Sequence, residues 1–151
     1  MLNLDLPDLI LVVTAFVLQI VLVIYFAFRK WRFDAAMRYG VIVYWLGIPA
    51  ALVSILLLTI GQSWYICLGG FVYAVWAIFG YRVDIARHVE WRDPILPRVF
   101  YPYVTLFIIA QVLYWWAVGI VMRPLWYAFA VLFILTTVLN VTSHRRPGTA
   151  H

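Results

Sequence analysis

Five apolar runs, at 9–28, 39–60, 64–80, 99–122 and 124–142, follow one another along the chain, and the polar residues gather between them. A helix needs about 20 predominantly apolar residues to cross ~30 Å of hydrocarbon, so each run reads as a transmembrane helix. The third run is the shortest, and only Arg123 and Pro124 separate the last two. Fusing those two would give a segment of about 66 Å at ~1.5 Å per residue, more than twice the bilayer core. Five spans are therefore expected rather than four. The pattern predicts an all-α fold, a polytopic helical bundle forming a single integral membrane domain over 1–151.

The charges sort by side. Arg29, Lys30, Arg32 and Arg38 follow the first run, Arg82, Arg87, Arg92 and Arg98 lie between the third and fourth, and Arg145 and Arg146 follow the fifth. With five spans these are ten of the eleven Lys and Arg residues, all on one side, while Arg123 falls on the other with Asp5 and Asp8. The positive-inside rule then places the N-terminus outside and the C-terminus in the cytoplasm, and the expected location is a bacterial or archaeal cytoplasmic membrane. The first run lacks a basic segment before it, and Arg29-Lys30-Trp31-Arg32 stands where a cleavage site would be, so it reads as an anchor rather than a signal peptide.

Composition narrows the classes further. The chain is 67% apolar and 11% charged, against about 45–50% and about 25% for soluble domains. That excludes an ordinary soluble enzyme, a disordered chain and a free nucleic-acid-binding domain. The net charge of +5 is explained by loops that set topology and meet anionic lipid headgroups. Aromatic residues make up 19% of the chain. Trp64, Tyr65, Trp126 and Tyr127 fall at the outer helix ends, and Trp31, Tyr39, Trp76, Trp91, Tyr101 and Tyr103 near the inner ones, as interfacial belts require.

Within the spans, small-residue pairs Gly47/Ala51 and Gly70/Ala74 flank the short link Gly61-Gln62-Ser63, predicting a close antiparallel hairpin. Pro49 predicts a kink that frees the Trp45 carbonyl. Gln19, Gln111 and Tyr73 fall near span midpoints, where an amide or hydroxyl needs a partner. They read first as interhelical glue. As a binding site they would form a polar ring for a small neutral ligand, extended by Thr136, Thr137 and Asn140 and joined by the deep-lying Trp115.

The runs themselves hold no Asp, Glu, Lys, Arg or His. Ion-coupled transporters, proton pumps and voltage sensors carry such groups at membrane depth, so those functions are disfavoured. With His88, His144 and His151 all outside the runs, haem ligation within the membrane is disfavoured too. Cys67 is the only cysteine and reads as a small buried residue. No nucleotide, zinc-protease or hydrolase motif occurs, and no metal or cofactor is expected.

Polar residues concentrate in 81–98. The third helix is expected to continue to about residue 93, with Pro94 and Pro97 turning the chain back. On such a helix Asp84 and His88 share a face, and Arg87/Glu90 and His88/Arg92 lace it with ion pairs. As a site, Arg82, Arg87 and Arg92 would grip a phosphorylated headgroup while His88, oriented by Asp84, acts as a general base. A metal version would draw on Glu90, Asp93 and His144, in no standard spacing. As a docking segment, Trp91 would be the anchor and the arginines its rim.

Five spans, the aromatic content and the run Thr136-Thr137-Val138-Leu139-Asn140 resemble the tryptophan-rich sensory (translocator) family. The resemblance covers only the span count and that run, because the family's Trp- and Pro-rich signatures in its first loop and central helices have no counterpart here. What it implies is ligand binding within the bundle.

Three function classes fit these observations. Small loops and missing motifs favour a non-catalytic subunit, scaffold or assembly partner of a membrane complex. The second class is a bundle that binds or passively conducts a small hydrophobic or neutral molecule. The third is an interfacial enzyme acting on a phosphorylated or lipid-linked substrate. The expected partners are membrane lipids, anionic headgroups included, and another membrane protein or a second copy, but not nucleic acid.

Overall fold

The computed structural model describes residues 5–92 and 94–143. The described residues form α1 (Leu6–Trp31), α2 (Phe33–Tyr39), α3 (Val41–Trp45), α4 (Gly47–Thr59), α5 (Trp64–Gly80), a π-helical turn (Tyr81–Ala86), α6 (Pro97–Val121) and α7 (Arg123–Thr142). Grouped by continuity, these are five helices long and apolar enough to cross a membrane: Leu6–Trp31, Phe33–Thr59, Trp64–Ala86, Pro97–Val121 and Arg123–Thr142. Each agrees with a run in the sequence. The third continues six residues past its apolar run, which ends at Gly80, and closes at Ala86.

Proline marks three of the helix starts, at Pro7, Pro97 and Pro124, because the first turn has no use for the missing N–H. The second span is segmented rather than bent back. Its backbone stays right-handed helical at both interruptions, Gly40 (φ −58°, ψ −21°) and Leu46 (φ −63°, ψ −15°). The second interruption lies just before Pro49, where the missing N–H deprives Trp45 of its bond. At the hairpin the Gln62 N–H donates to the Leu57 carbonyl (2.9 Å) and the Gly61 N–H to that of Leu58 (3.2 Å), with Gly61 at φ 91°. This is a Schellman ending, and it needs the left-handed residue that glycine supplies.

The hairpin helices meet closely, as the small residues predict. A Cβ on Gly47 would stand 2.6 Å from Ala77 Cβ, and one on Gly70 would stand 2.6 Å from the Ala50 carbonyl and overlap Ser54 Oγ. The seam therefore uses Gly47, Ala50 and Ser54 on the second span, one position round from Ala51.

The third span is central, with 50% of its apolar window buried, while the fifth is peripheral at 17%. Along the third and fourth spans, Tyr65 stacks on Trp116, Gly69 packs on Tyr114 and Trp76 on Phe107, an antiparallel register. Tyr73, Trp76, Tyr103 and Phe107 are buried together as an aromatic column. The first and fifth spans run parallel, joined by Gln19 with Thr136 and by Arg29 with Asn140. Outward faces are apolar: Val13, Val17, Ile20 and Ile24 on α1, and Val131, Ile134, Val138 and Val141 on α7 are exposed at helical spacing. Such faces fit hydrocarbon and would be an aggregation liability in water.

Candidate functional site: an ion-paired knot at the basic end

Arg29, Asp84, Arg92 and Asn140 all fall at one end of the bundle, the end that carries the arginine-rich segments. Asp8 and Gln62, hydrogen-bonded at 2.8 Å, mark the opposite end.

The knot forms because the third helix changes pitch. From Tyr81 the backbone is π-helical, and the Arg87 N–H reaches the Arg82 carbonyl at 3.0 Å. One extra residue in a turn rotates the following side chains by about 100° around the axis. Asp84 is thereby turned inward and away from His88. The helix ends at Ala86 instead of continuing to residue 93, and His88 sits at φ 46°, exposed. The expected Asp84–His88 pairing is replaced by a denser one. Arg92 donates through Nη1 to Asp84 Oδ1 (2.7 Å) and through Nη2 to Oδ2 (2.6 Å), a two-pronged ion pair. Trp91 Nε1 donates to Oδ1 (2.7 Å), and the Tyr44 hydroxyl donates to Oδ2. The Arg92 guanidinium also lies 4.1 Å from the Trp91 ring centroid.

Side-chain exposure is 1% for Asp84 and 7% for Arg92, so the pair is inside the protein. Burial works against the Arg92 charge, but the hydrogen bonds and negative charge of Asp84 outweigh it and hold its pKa above the ordinary value. Arg92 therefore stays a cation. Both Asp84 oxygens are occupied, which leaves it no lone pair aimed at a substrate.

A second buried arginine lies at the same end. Arg29 donates through Nε to Ser143 Oγ (2.9 Å) and through Nη2 to the Asn140 carbonyl (3.1 Å) and Oδ1 (2.9 Å). Its guanidinium stands 4.6 Å from the Phe26 ring centroid. No carboxylate is among these partners. The charge is met by the Asn140 carbonyl near the end of α7, where a helix favours cations, by the Asn140 and Ser143 side-chain oxygens and by an aromatic face. The picture of spans without ionisable residues is thus corrected: α1 runs through Arg29, and the third span carries Asp84.

The polar residues named from the sequence are spread along the bundle. Gln19 Nε2 donates to Thr136 Oγ1 (2.8 Å), and Thr136 in turn donates to the Leu132 carbonyl (2.6 Å). Asn140 serves Arg29. Trp115 stacks on Trp126 at 4.8 Å and donates to its carbonyl, pinning the turn between α6 and α7. Tyr73 and Gln111 are buried in the centre, and neither the Tyr73 hydroxyl nor Gln111 Oε1 has a hydrogen-bond partner among the described residues. Of the arginine trio, Arg82 and Arg87 are exposed and Arg92 is consumed in the knot. Trp91, expected as an exposed anchor, is wholly buried. The expected Arg87/Glu90 and His88/Arg92 pairs do not form among the described residues, where no group of three metal-ligating side chains occurs. Asp93, His144, Arg145, Arg146 and His151 lie outside the described residues.

Beside the knot, an open cleft of about 480 Å³ separates the second and third spans. Tyr44, Trp45, Ile48, Ile78, Tyr81 and Arg82 are among its lining residues. Tyr44 thus faces Asp84 and also contributes to the cleft.

Sequence reasoning missed Arg29 and Tyr44. The signal for Arg29 was its position immediately after an apolar run, within a helix length of a matching Asn140 at the end of another. Nothing in the sequence singled out Tyr44.

No family model, curated protein or solved structure is similar to this chain.

Two local substitutions check this geometry. Gln19→Leu is expected to lower bundle stability by about 0.6–2 kcal/mol in a denaturant titration in micelles, because it removes the α1–α7 bond. Unchanged or higher stability would show that this bond contributes nothing. His88→Gly is expected to raise the unfolding midpoint, worth up to about 1 kcal/mol, since a left-handed residue other than glycine is strained. His88→Ala should retain the strain and leave the midpoint near that of wild type.

Proposed function

We propose that the chain is an integral membrane protein that acts by association, as a non-catalytic subunit, scaffold or assembly partner in a membrane complex. In this reading the basic end faces the cytoplasm and the N-terminus lies outside. The observation that carries the proposal is the use made of the polar side chains. Asp84, the acidic member of the expected acid–base pair, has both oxygens engaged by Arg92, Trp91 and Tyr44. His88 is exposed and not held by it. An interfacial acid–base mechanism therefore lacks its oriented base. What is left to offer the surroundings is apolar surface, above all on the peripheral fifth span, together with the exposed Arg82 and Arg87 at one end.

Native mass spectrometry of the chain released from its own membrane tests this reading. The expected result is a complex of fixed protein stoichiometry, either with a second copy or with another membrane protein, that survives dilution. A monomer with no stoichiometric protein partner would overturn it. Reporter fusions at the C-terminus test the orientation separately, since an exported C-terminus is incompatible with it.

A further inference from the structure

The cleft between the second and third spans is graded in polarity along its length. Gly47 lies against Ala77 and, one turn nearer the basic end, Tyr44 lies against Gly80, so the lining residues fall in levels: Ile48 and Ile78, then Trp45 and Tyr81, with Arg82 nearest the basic end. The bottom row is aliphatic, the middle row is aromatic and the mouth is cationic. Ile48, Ile78, Trp45 and Tyr81 are 52%, 59%, 60% and 40% exposed, so the groove opens sideways, where hydrocarbon would lie. The Arg82 side chain is exposed and makes no hydrogen bond or ion pair among the described residues, unlike those of Arg29 and Arg92. Its guanidinium is therefore free to bind an anion at the height where headgroups sit. Gly80 keeps the inner wall in place, because a Cβ there would overlap the Tyr44 ring.

From this grading we infer that the cleft holds one anionic phospholipid, with an acyl chain along Ile48 and Ile78 and its phosphate group on Arg82. Three features match in order: chain on aliphatic side chains, glycerol region beside Trp45 and Tyr81, phosphate on the guanidinium. Guanidinium forks suit phosphate geometry, and amphipathic rings favour that interfacial depth. At about 480 Å³ the cleft falls within the ~300–1,000 Å³ typical of small-molecule sites. This assignment requires only that the chain lies in a membrane, and it stands whether or not the chain joins a complex.

The test is lipid retention, read by native mass spectrometry as lipid adducts on the purified chain in micelles. Phosphatidylglycerol and phosphatidylcholine of identical acyl chains are added in competition. Wild type is expected to hold one phosphatidylglycerol with roughly fivefold preference, the scale of one basic residue near an anionic headgroup. Arg82→Gln should remove the preference while keeping lipid bound. Ile78→Trp, which fills the groove from an exposed position, should reduce binding of both lipids, and Ile48→Trp is a second filling variant should the first fail to fold. Arg123→Gln, at the opposite end, should behave as wild type. Glycerol phosphate, which has the headgroup chemistry without chains, should not compete. No preference in wild type, a preference retained in Arg82→Gln, full binding in both filled variants, or effective competition by glycerol phosphate would each overturn the assignment.

Discussion

Asp84→Ala is expected to cost the bundle about 3–5 kcal/mol, the range found when one member of a buried ion pair is deleted. The Arg92 guanidinium would remain inside the protein with its charge unmet, and Trp91 Nε1 and the Tyr44 hydroxyl would lose their acceptors. Unfolding in mixed micelles, followed by circular dichroism against denaturant, measures the loss. Replacing both partners is the informative control. Asp84→Leu combined with Arg92→Met removes the charge along with its counter-charge, and buried pairs exchanged for apolar residues commonly recover most of the stability. Recovery would show that the knot is a balanced pair whose cost appears only when it is split. A double variant as unstable as the single would instead assign the loss to packing of Trp91 and Tyr44 around the site. A guanidinium keeps its charge over the usual working range of pH even without a counter-charge, so this cost should not be relieved by mild alkali.

The difference between what was legible and what was not follows from the range of each interaction. The number of long apolar helices and the closeness of the hairpin were readable because they depend on local quantities: apolar length, a Gly61 turn, small residues at Gly47 and Gly70. Pro49 gave the break in the second span for the same reason. The fate of Asp84 was not readable, because a single change of helical pitch at Tyr81 moves it from the face of His88 to that of Tyr44, forty residues away in sequence. A regular 3.6-residue repeat assigns the wrong neighbours beyond such a turn. Arg29 was misjudged for a related reason. Charge patterning treats a basic residue after an apolar run as a headgroup contact, whereas the end of a parallel helix 111 residues later receives it through Asn140. Of the polar residues expected to gather in the bundle, Gln19 does meet Thr136, whereas Asn140 is bonded by Arg29 and Trp115 stacks on Trp126.

Gly70→Ala should destabilise by about 1–3 kcal/mol, the usual cost of forcing extra volume into a packed contact. One methyl group would stand 2.6 Å from the Ala50 carbonyl oxygen and 3.0 Å from the Tyr114 hydroxyl, and would overlap Ser54 Oγ. Ser54→Gly removes one obstacle but leaves the carbonyl, which is backbone. The pair Ser54→Gly with Gly70→Ala should therefore recover only part of the loss. Gly61→Ala is the contrasting control, since its Cβ would meet nothing within 4 Å and the residue sits at φ 91°. Its cost reports backbone strain alone, on the order of 1–2 kcal/mol. The crossing at Gly70 also sets how the second span lies against the third, and hence where Tyr44 meets both Gly80 and Asp84. Gly70→Ala and Asp84→Ala should consequently be less than additive, with a coupling of at least about 0.5 kcal/mol despite the lack of a shared contact. Strict additivity would mean that the knot finds its geometry from the 81–92 segment alone, independently of how closely the two spans approach.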